Sequence, residues 1–247
     1  MTKTLAVILH FNTPTLTDNL YQMLEPYQKD DYKLIVFDNG SEPTKKASHS
    51  ELFVKENCYF GGAVNLLFQY ILNHPEYDSL LILNSDLILH GYNWIKTLRK
   101  ELFDNEYTIV SPCIIQPENR QCHWKNMHNW GAKDTRQVSW IDFQAPLIHR
   151  RFIDHLQLFP DLLRYGWGQD ILSGIICEDM NWKIGVCDNV CAIHLDSYTV
   201  KNNQHLPEMQ TYWQNAEKYM FNYFTGIGLM ERVNYFRQVN ETYSYNI

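Results

Sequence analysis

Apolar residues along this chain come in two rhythms. Short continuous runs at Leu5–Leu9, Lys33–Asp38 ("KLIVFD") and Leu80–Leu83 ("LLIL") have the look of strands buried on both faces. Between them, apolar residues recur at helical spacing. Leu16, Leu20, Met23, Leu24 and Tyr27 form one such set, introduced by Thr13 as an N-cap and Pro14 in the first turn. A second helix opens at Gly61-Gly62, carries Ala63, Leu66, Leu67, Tyr70 and Ile71 inward, and stops at Asn73-His74-Pro75. Trp94, Leu98 and Leu102 mark a third, followed by a strand at "TIVSP". Val54 is assigned to a short additional strand, and "VSWIDF" returns to strand character. Phe152–Phe159 and Ile171–Asn181 read as helices, Lys183–Val186 and Val190–His194 as strands. Strands alternating with helices predict an α/β sandwich around a largely parallel sheet.

Two segments fall outside this alternation. Residues 116–133 are polar, rich in Asn, His and Trp, and irregular, as a functional loop would be. After Pro207, the residues Met209, Tyr212, Trp213, Ala216, Tyr219, Met220 and Tyr223 recur at helical spacing. The aromatic stretch 212–236 is read either as packing against the core or as an amphipathic surface.

The 247 residues suffice for one large or two-lobed domain, and the composition is that of a globular protein, 45% hydrophobic and 20% charged. The net charge of −7 and the lack of a dense Lys/Arg run disfavour a general nucleic-acid binder. None of the six cysteines forms a CxxC pair, so reduced, mostly buried thiols and a cytoplasmic setting are expected. The first apolar run is too short to span a membrane and lacks a signal-peptide cleavage region. Peripheral contact with the inner face of the membrane is compatible with this reading.

Candidate chemistry collects where strands end, the place at which open α/β sheets bind ligands. "HFNTP" follows the first strand, "DNGS" the second, and "NSD" follows "LLIL". In the last case Asn84-Ser85-Asp86 interrupts an apolar run that resumes directly as Leu87-Ile88-Leu89. Any one of these sites also reads as an ordinary Asx turn. Three at one sheet edge favour a binding site.

The motifs "VILHFNTP", "LIVFDNGS", "NCYFGGAVN", "LLILNSD", "DFQAPLIHRRFI" and "YGWGQD…MNWKI…CAIHLDS" occur in the order and spacing of family 2 of the GT-A-fold glycosyltransferases. The resemblance covers residues 4–200. It implies a GT-A, Rossmann-like α/β/α sandwich over residues 1–205, with a nucleotide-sugar half (1–110) and an acceptor and catalytic half (111–205). Residues 206–247 would be a helical extension packed on it. The implied activity is inverting transfer from a nucleotide-diphospho-sugar such as a UDP-sugar, assisted by Mn2+ or Mg2+.

By the same resemblance, Asp86 and His194 would ligate the metal, with Asn84 and Ser85 beside it. Phe11, Asn12, Asp38, Asn39 and Ser41 would meet the nucleoside, Gly61 and Gly62 would allow close approach at a helix start, and Asn65 would reach the nucleoside. Asp142 and Gln144 would floor the donor-sugar pocket. Asp170 would be the general base, its carboxyl pKa lowered by the helix N-terminus. Trp167 would stack on the acceptor and Gln169 would contact it. Two departures stand out: Asp86 is the sole acid in "NSD", and Gln169 replaces the Glu that often precedes the base. The acceptor stays open among a glycan, a lipid-linked sugar, a protein and a modified base. A non-catalytic sugar-nucleotide or glycan-binding module is the alternative. A nucleotidyltransferase would need a basic, Gly-rich N-terminal loop, which "HFNTPTLTD" is not.

Overall fold

A computed structural model describes residues 3–28, 32–90, 93–115, 124–195 and 209–242. The sheet is built from β1 (Lys3–His10), β2 (Tyr32–Asp38), β3 (Ser50–Phe53), β4 (Tyr77–Asn84), β5 (Leu87–His90), β6 (Tyr107–Ile115), β7 (Arg136–Val138), β8 (Leu147–His149) and β9 (Lys183–His194). Their order is β3-β2-β1-β4-β8-β6-β9-β5, with β7 added against β9. Strands β1, β2, β3, β4, β6 and β9 run one way; β5, β7 and β8 run against them. The sheet is therefore mixed and mostly parallel.

The helices are α1 (Pro14–Leu24), α2 (Tyr59–Asn73), α3 (Trp94–Asp104), α4 (Arg150–Leu156), α5 (Gln169–Asp179), α6 (Met209–Gly226) and α7 (Met230–Thr242). The β1-α1-β2 and β3-α2-β4 crossovers travel in opposite directions along the sheet, so right-handed connection places α1 and α2 on opposite faces. Helix α4 packs beside α2, and α3 lies on β6, β8 and β9. Residues Leu5–Ile8 and Leu80–Leu83 have no solvent exposure, which is why their sequences show no polar alternation.

Register aligns the strand ends. His10 pairs with Asp38, and Leu9 with Asn84. The polar clusters after β1, β2 and β4 consequently lie side by side at one edge of the sheet.

Several expectations change. Thr13 precedes α1 but makes no capping bond; its Oγ1 lies 2.9 Å from Ser85 Oγ instead. Of "VSWIDF", only Val138 belongs to a strand. The two strands expected over 183–194 are one, β9, whose pairing with β6 jumps from Pro112–Cys187 to Cys113–Cys191. The extra residues, Asp188 to Val190, form a bulge. The Asp188 carboxylate there accepts hydrogen bonds from Trp130 N, Ala132 N and the Arg136 guanidinium, fastening the end of the 124–136 loop. This register also brings two thiols together: Cys113 and Cys191 form a disulfide, contrary to the expectation of six reduced cysteines. Cys58, Cys177 and Cys187 are free, and Cys122 lies outside the described residues.

The aromatic tail packs against the core. Ala216, Met220 and Phe224 of α6 and Val233 and Phe236 of α7 are buried, and Trp140 Nε1 donates to Phe236 O at 3.0 Å. Glu178 and Asp179 of α5, both exposed, pair with Arg232 of α7. Among the described residues, no helix is long and apolar enough to cross a membrane.

Candidate functional site

The turn at Ser85-Asp86 is what interrupts the apolar run after "LLIL". The apolar run resumes because β5 is itself a strand, at the opposite end of the sheet path from β3 and paired antiparallel with β9. Leu87 is in register with His194, and Leu195 N donates to Asp86 O at 3.0 Å. Asp86 Oδ1 and His194 Nε2 thus lie 3.3 Å apart, both side chains largely buried. Among the described residues, no cluster of three or more His, Cys, Asp or Glu side chains is arranged to hold a metal ion. The pair supplies one carboxylate and one imidazole.

Beside this pair opens a cavity of about 660 Å³. Of the residues singled out from the sequence, Phe11, Asn39, Asn84, Ser85, Asp142, Gln144, Trp167, Asp170 and His194 line it. They come from the ends of β1, β2 and β4, the 139–146 segment, the loop before α5 and its first turn, and the end of β9.

Other candidates hold the walls from behind. Asn12, at φ 55°, accepts from Glu42 N at 2.8 Å through its side-chain oxygen, while its own N–H donates to Ser41 Oγ at 2.9 Å. Asp38 is buried and its carboxylate accepts from Ser41 N, three residues on, at 2.8 Å. Asn39 both lines the cavity and ties down the 57–59 loop, donating to Asn57 Oδ1 and Tyr59 O at 3.1 Å each. Asn65 turns away: its amide makes two 2.8 Å bonds with the backbone of Phe159. Gly61 presses on the backbone of Leu163 and Arg164, where a Cβ would come within 2.3 Å of Leu163 O. Gln169 is fully buried and donates to Gly61 O at 3.3 Å, so its side chain points into the α2 contact rather than into the cavity.

Asp170 occupies the first turn of α5. Its Oδ1 accepts from Ile171 N at 2.8 Å and Gly168 N at 3.1 Å. The helix-end N–H groups were expected to hold its pKa down. They do pull in that direction, but the carboxyl is pushed up to about 7, first by its poorly hydrated position in the cavity wall and then by the charge of Asp142. Desolvation outweighs the helix terminus here. Asp142 is itself fixed by Gln144, whose Nε2 donates to Asp142 Oδ2 at 2.6 Å. His10, also lining the cavity, has its pKa lowered by burial; Nε2 donates to Lys45 O at 3.0 Å.

Sequence reading missed one whole wall. Tyr59, Tyr165, Tyr212 and Trp213 line the cavity, as do Trp124, Trp140 and Arg237. The rings of Tyr59 and Tyr165 are 4.4 Å apart and those of Tyr165 and Tyr212 5.3 Å. The high aromatic content, 14%, was the available signal. It did not say which rings converge.

No protein-family profile matches the chain. No curated protein sequence matches it either. Solved structures do. A structure of GalNAc-T7 with UDP, GalNAc and Mn2+ superposes with a TM-score of 0.62 at 11% identity over 79% of this chain; the match spans 44% of that protein. Residues 1–349 of TarS from S. aureus match with a TM-score of 0.56 and 13% identity, covering 91% of this chain and 72% of that one. A197 from STIV matches with a TM-score of 0.51 and 12% identity, over 78% and 86% of the two chains. The fold is that of the GT-A glycosyltransferases.

Proposed function

We propose that this chain is an inverting glycosyltransferase that moves a sugar from a nucleotide-diphospho-sugar, a UDP-sugar, to an acceptor hydroxyl. The observation that carries the reading is the meeting of Asp86 with His194, from a distant part of the sequence, and His194 lines the same cavity as Asp170. The GT-A fold supports glycosyl transfer in general, and one protein sharing it was solved with UDP, GalNAc and Mn2+.

One carboxylate oxygen and one imidazole nitrogen are a donor set that would suit a Mn2+ ion. Asp86 and His194 would hold it. When bound, such an ion offsets the negative charge that grows on a departing diphosphate. The other roles belong to the chain itself. Asp170 takes the proton of the acceptor hydroxyl as that oxygen bonds to the anomeric carbon. The bond from that carbon to the diphosphate breaks on the opposite face, and the diphosphate leaves with its electron pair. A carboxylate pushed up to about 7 is better matched to this task near neutrality than an ordinary one. Asp142 and Gln144 receive the donor sugar, while Phe11 and Asn39 border the nucleoside.

The test is turnover. Purified protein incubated with a panel of sugar nucleotides and Mn2+ should release nucleoside diphosphate from one of them. Asp170→Asn should keep donor binding and lose turnover, and Asp86→Ala should lose metal-dependent donor affinity. Variants indistinguishable from wild type overturn the assignment.

A further inference from the structure

The chain has seven tryptophans, and their exposure sorts them. Trp94 and Trp140 are 3% and 1% exposed, as core indoles usually are. Trp167 and Trp213 are each 38% exposed, yet both line the cavity that contains Asp170. They come from separate elements, the loop before α5 and the first turns of α6.

Those elements are locked together. Tyr212 donates from its hydroxyl to Tyr165 O at 3.0 Å, so the residue before Trp213 is bonded to the loop that carries Trp167. Further along, Met220 and Phe224 close on Gly168, where a Cβ would lie 2.8 Å and 2.9 Å from them. Gly168 has a φ of +87°, a conformation glycine takes without strain. Trp213 and Met220, seven residues apart and so on one helical face, both line the cavity. The two indoles therefore stand on a rigid support.

The charges around them are placed elsewhere. The charged or titratable lining groups besides tyrosine are Asp142, Asp170, Arg237, His10 and His194. The nearby Arg164 guanidinium lies over the rings of Tyr59, Tyr165 and Tyr219, at 5.9, 5.5 and 5.6 Å. It stacks on tyrosine rings and not on either indole. The part of the cavity wall made by Tyr59, Tyr165, Trp167, Tyr212 and Trp213 offers flat apolar faces and phenolic hydroxyls, with no acidic side chain among them.

We infer that Trp167 and Trp213 form the acceptor platform, and that the acceptor is a neutral saccharide whose ring faces pack on these indoles. The inference deepens the glycosyltransferase reading and rests on it. Rigid indoles present large faces with little conformational entropy to lose, and a pyranose offers a matching C–H face. Among the described residues the cations near the cavity stack on tyrosines or stand elsewhere in its wall, so an anionic acceptor lying on the two indoles would meet aromatic rings where it needs cations. On this account α6 is part of the binding site, and Trp213 selects the acceptor.

The test presents the protein, in UDP and Mn2+, to immobilised neutral oligosaccharides of glucose, galactose, N-acetylglucosamine and N-acetylgalactosamine, beside Ser/Thr-rich peptides and anionic phospholipid vesicles. Affinity for UDP with Mn2+ is measured on the same samples. Wild type should retain at least one neutral oligosaccharide and neither peptides nor vesicles. Trp213→Ala and Trp167→Ala should each weaken that retention at least tenfold, while Trp213→Tyr should recover most of it and Trp213→Leu should not. The inference is overturned if wild type retains peptides or vesicles instead, if no oligosaccharide is retained, if the alanine variants retain it equally, or if UDP affinity falls in step with glycan affinity. Wild type that releases nucleoside diphosphate but retains no oligosaccharide refutes the platform alone. Wild type that neither binds UDP nor turns over any sugar nucleotide refutes the glycosyltransferase reading beneath it.

Discussion

Asp170 carries two predictions of opposite character. As a base it must be ionised, so kcat/KM should rise with pH and level off above a midpoint near the value of about 7 set by desolvation and Asp142. Asp170→Asn should lower kcat by roughly 10²–10⁴-fold, the usual worth of a positioned base. As a poorly hydrated carboxylate it should burden the fold. Its folded pKa lies above its unfolded one, so its contribution to stability is greatest below the ordinary carboxyl range and is lost as pH rises through about 7. Asp170→Asn should therefore be more stable than wild type at pH 8, by about 2–4 kcal/mol, and that gain should shrink toward pH 4. Urea unfolding at the two pH values measures it. Equal stability at both would mean that the carboxylate is well solvated. Sequence alone gave this residue a lowered pKa, because a helix start is legible in a sequence and a poorly hydrated cavity wall is not.

Elements decide how the site is held. Helix α6 presses Met220 and Phe224 onto Gly168, two residues before the carboxylate that the loop aims. Gly168→Ala would place a side chain at a φ of +87° and into those two residues. It should destabilise the protein by about 2–4 kcal/mol, read as a lower urea midpoint at unchanged slope. Asn65→Ala removes two hydrogen bonds to the Phe159 backbone and should cost about 1–3 kcal/mol. That role differs from the nucleoside contact expected from sequence. Which strands existed was mostly readable: β1, β2 and β4 are buried on both faces, and their apolar runs say so. The single strand β9 was not, since its bulge at Asp188 to Val190 is stabilised by Arg136 and the 130–132 backbone, partners that lie far away in sequence. For the same reason the aromatic wall was legible only as an excess of rings.

At the scale of the whole molecule, the account turns on one sheet bringing two ends of a site together. Strand β4 delivers Asp86, β9 delivers His194, and β5 joins them by its register. The strand-end clusters after β1 and β2 stand next to Asn84 because His10, Asp38 and Asn84 are neighbours across the same edge. The individual motifs announced candidates, but their convergence needed topology. It is also where the candidates divided, with Asn39, Asp142 and Asp170 facing the cavity and Asn65 and Gln169 facing the scaffold. The most direct test is a calorimetric titration of UDP with and without Mn2+ into wild type, Asp86→Asn, His194→Ala and Asp170→Asn. The account predicts Mn2+-dependent binding in wild type and Asp170→Asn, with that dependence weakened at least tenfold in Asp86→Asn and His194→Ala. Binding of UDP that ignores Mn2+, or that survives both ligand substitutions intact, would contradict it.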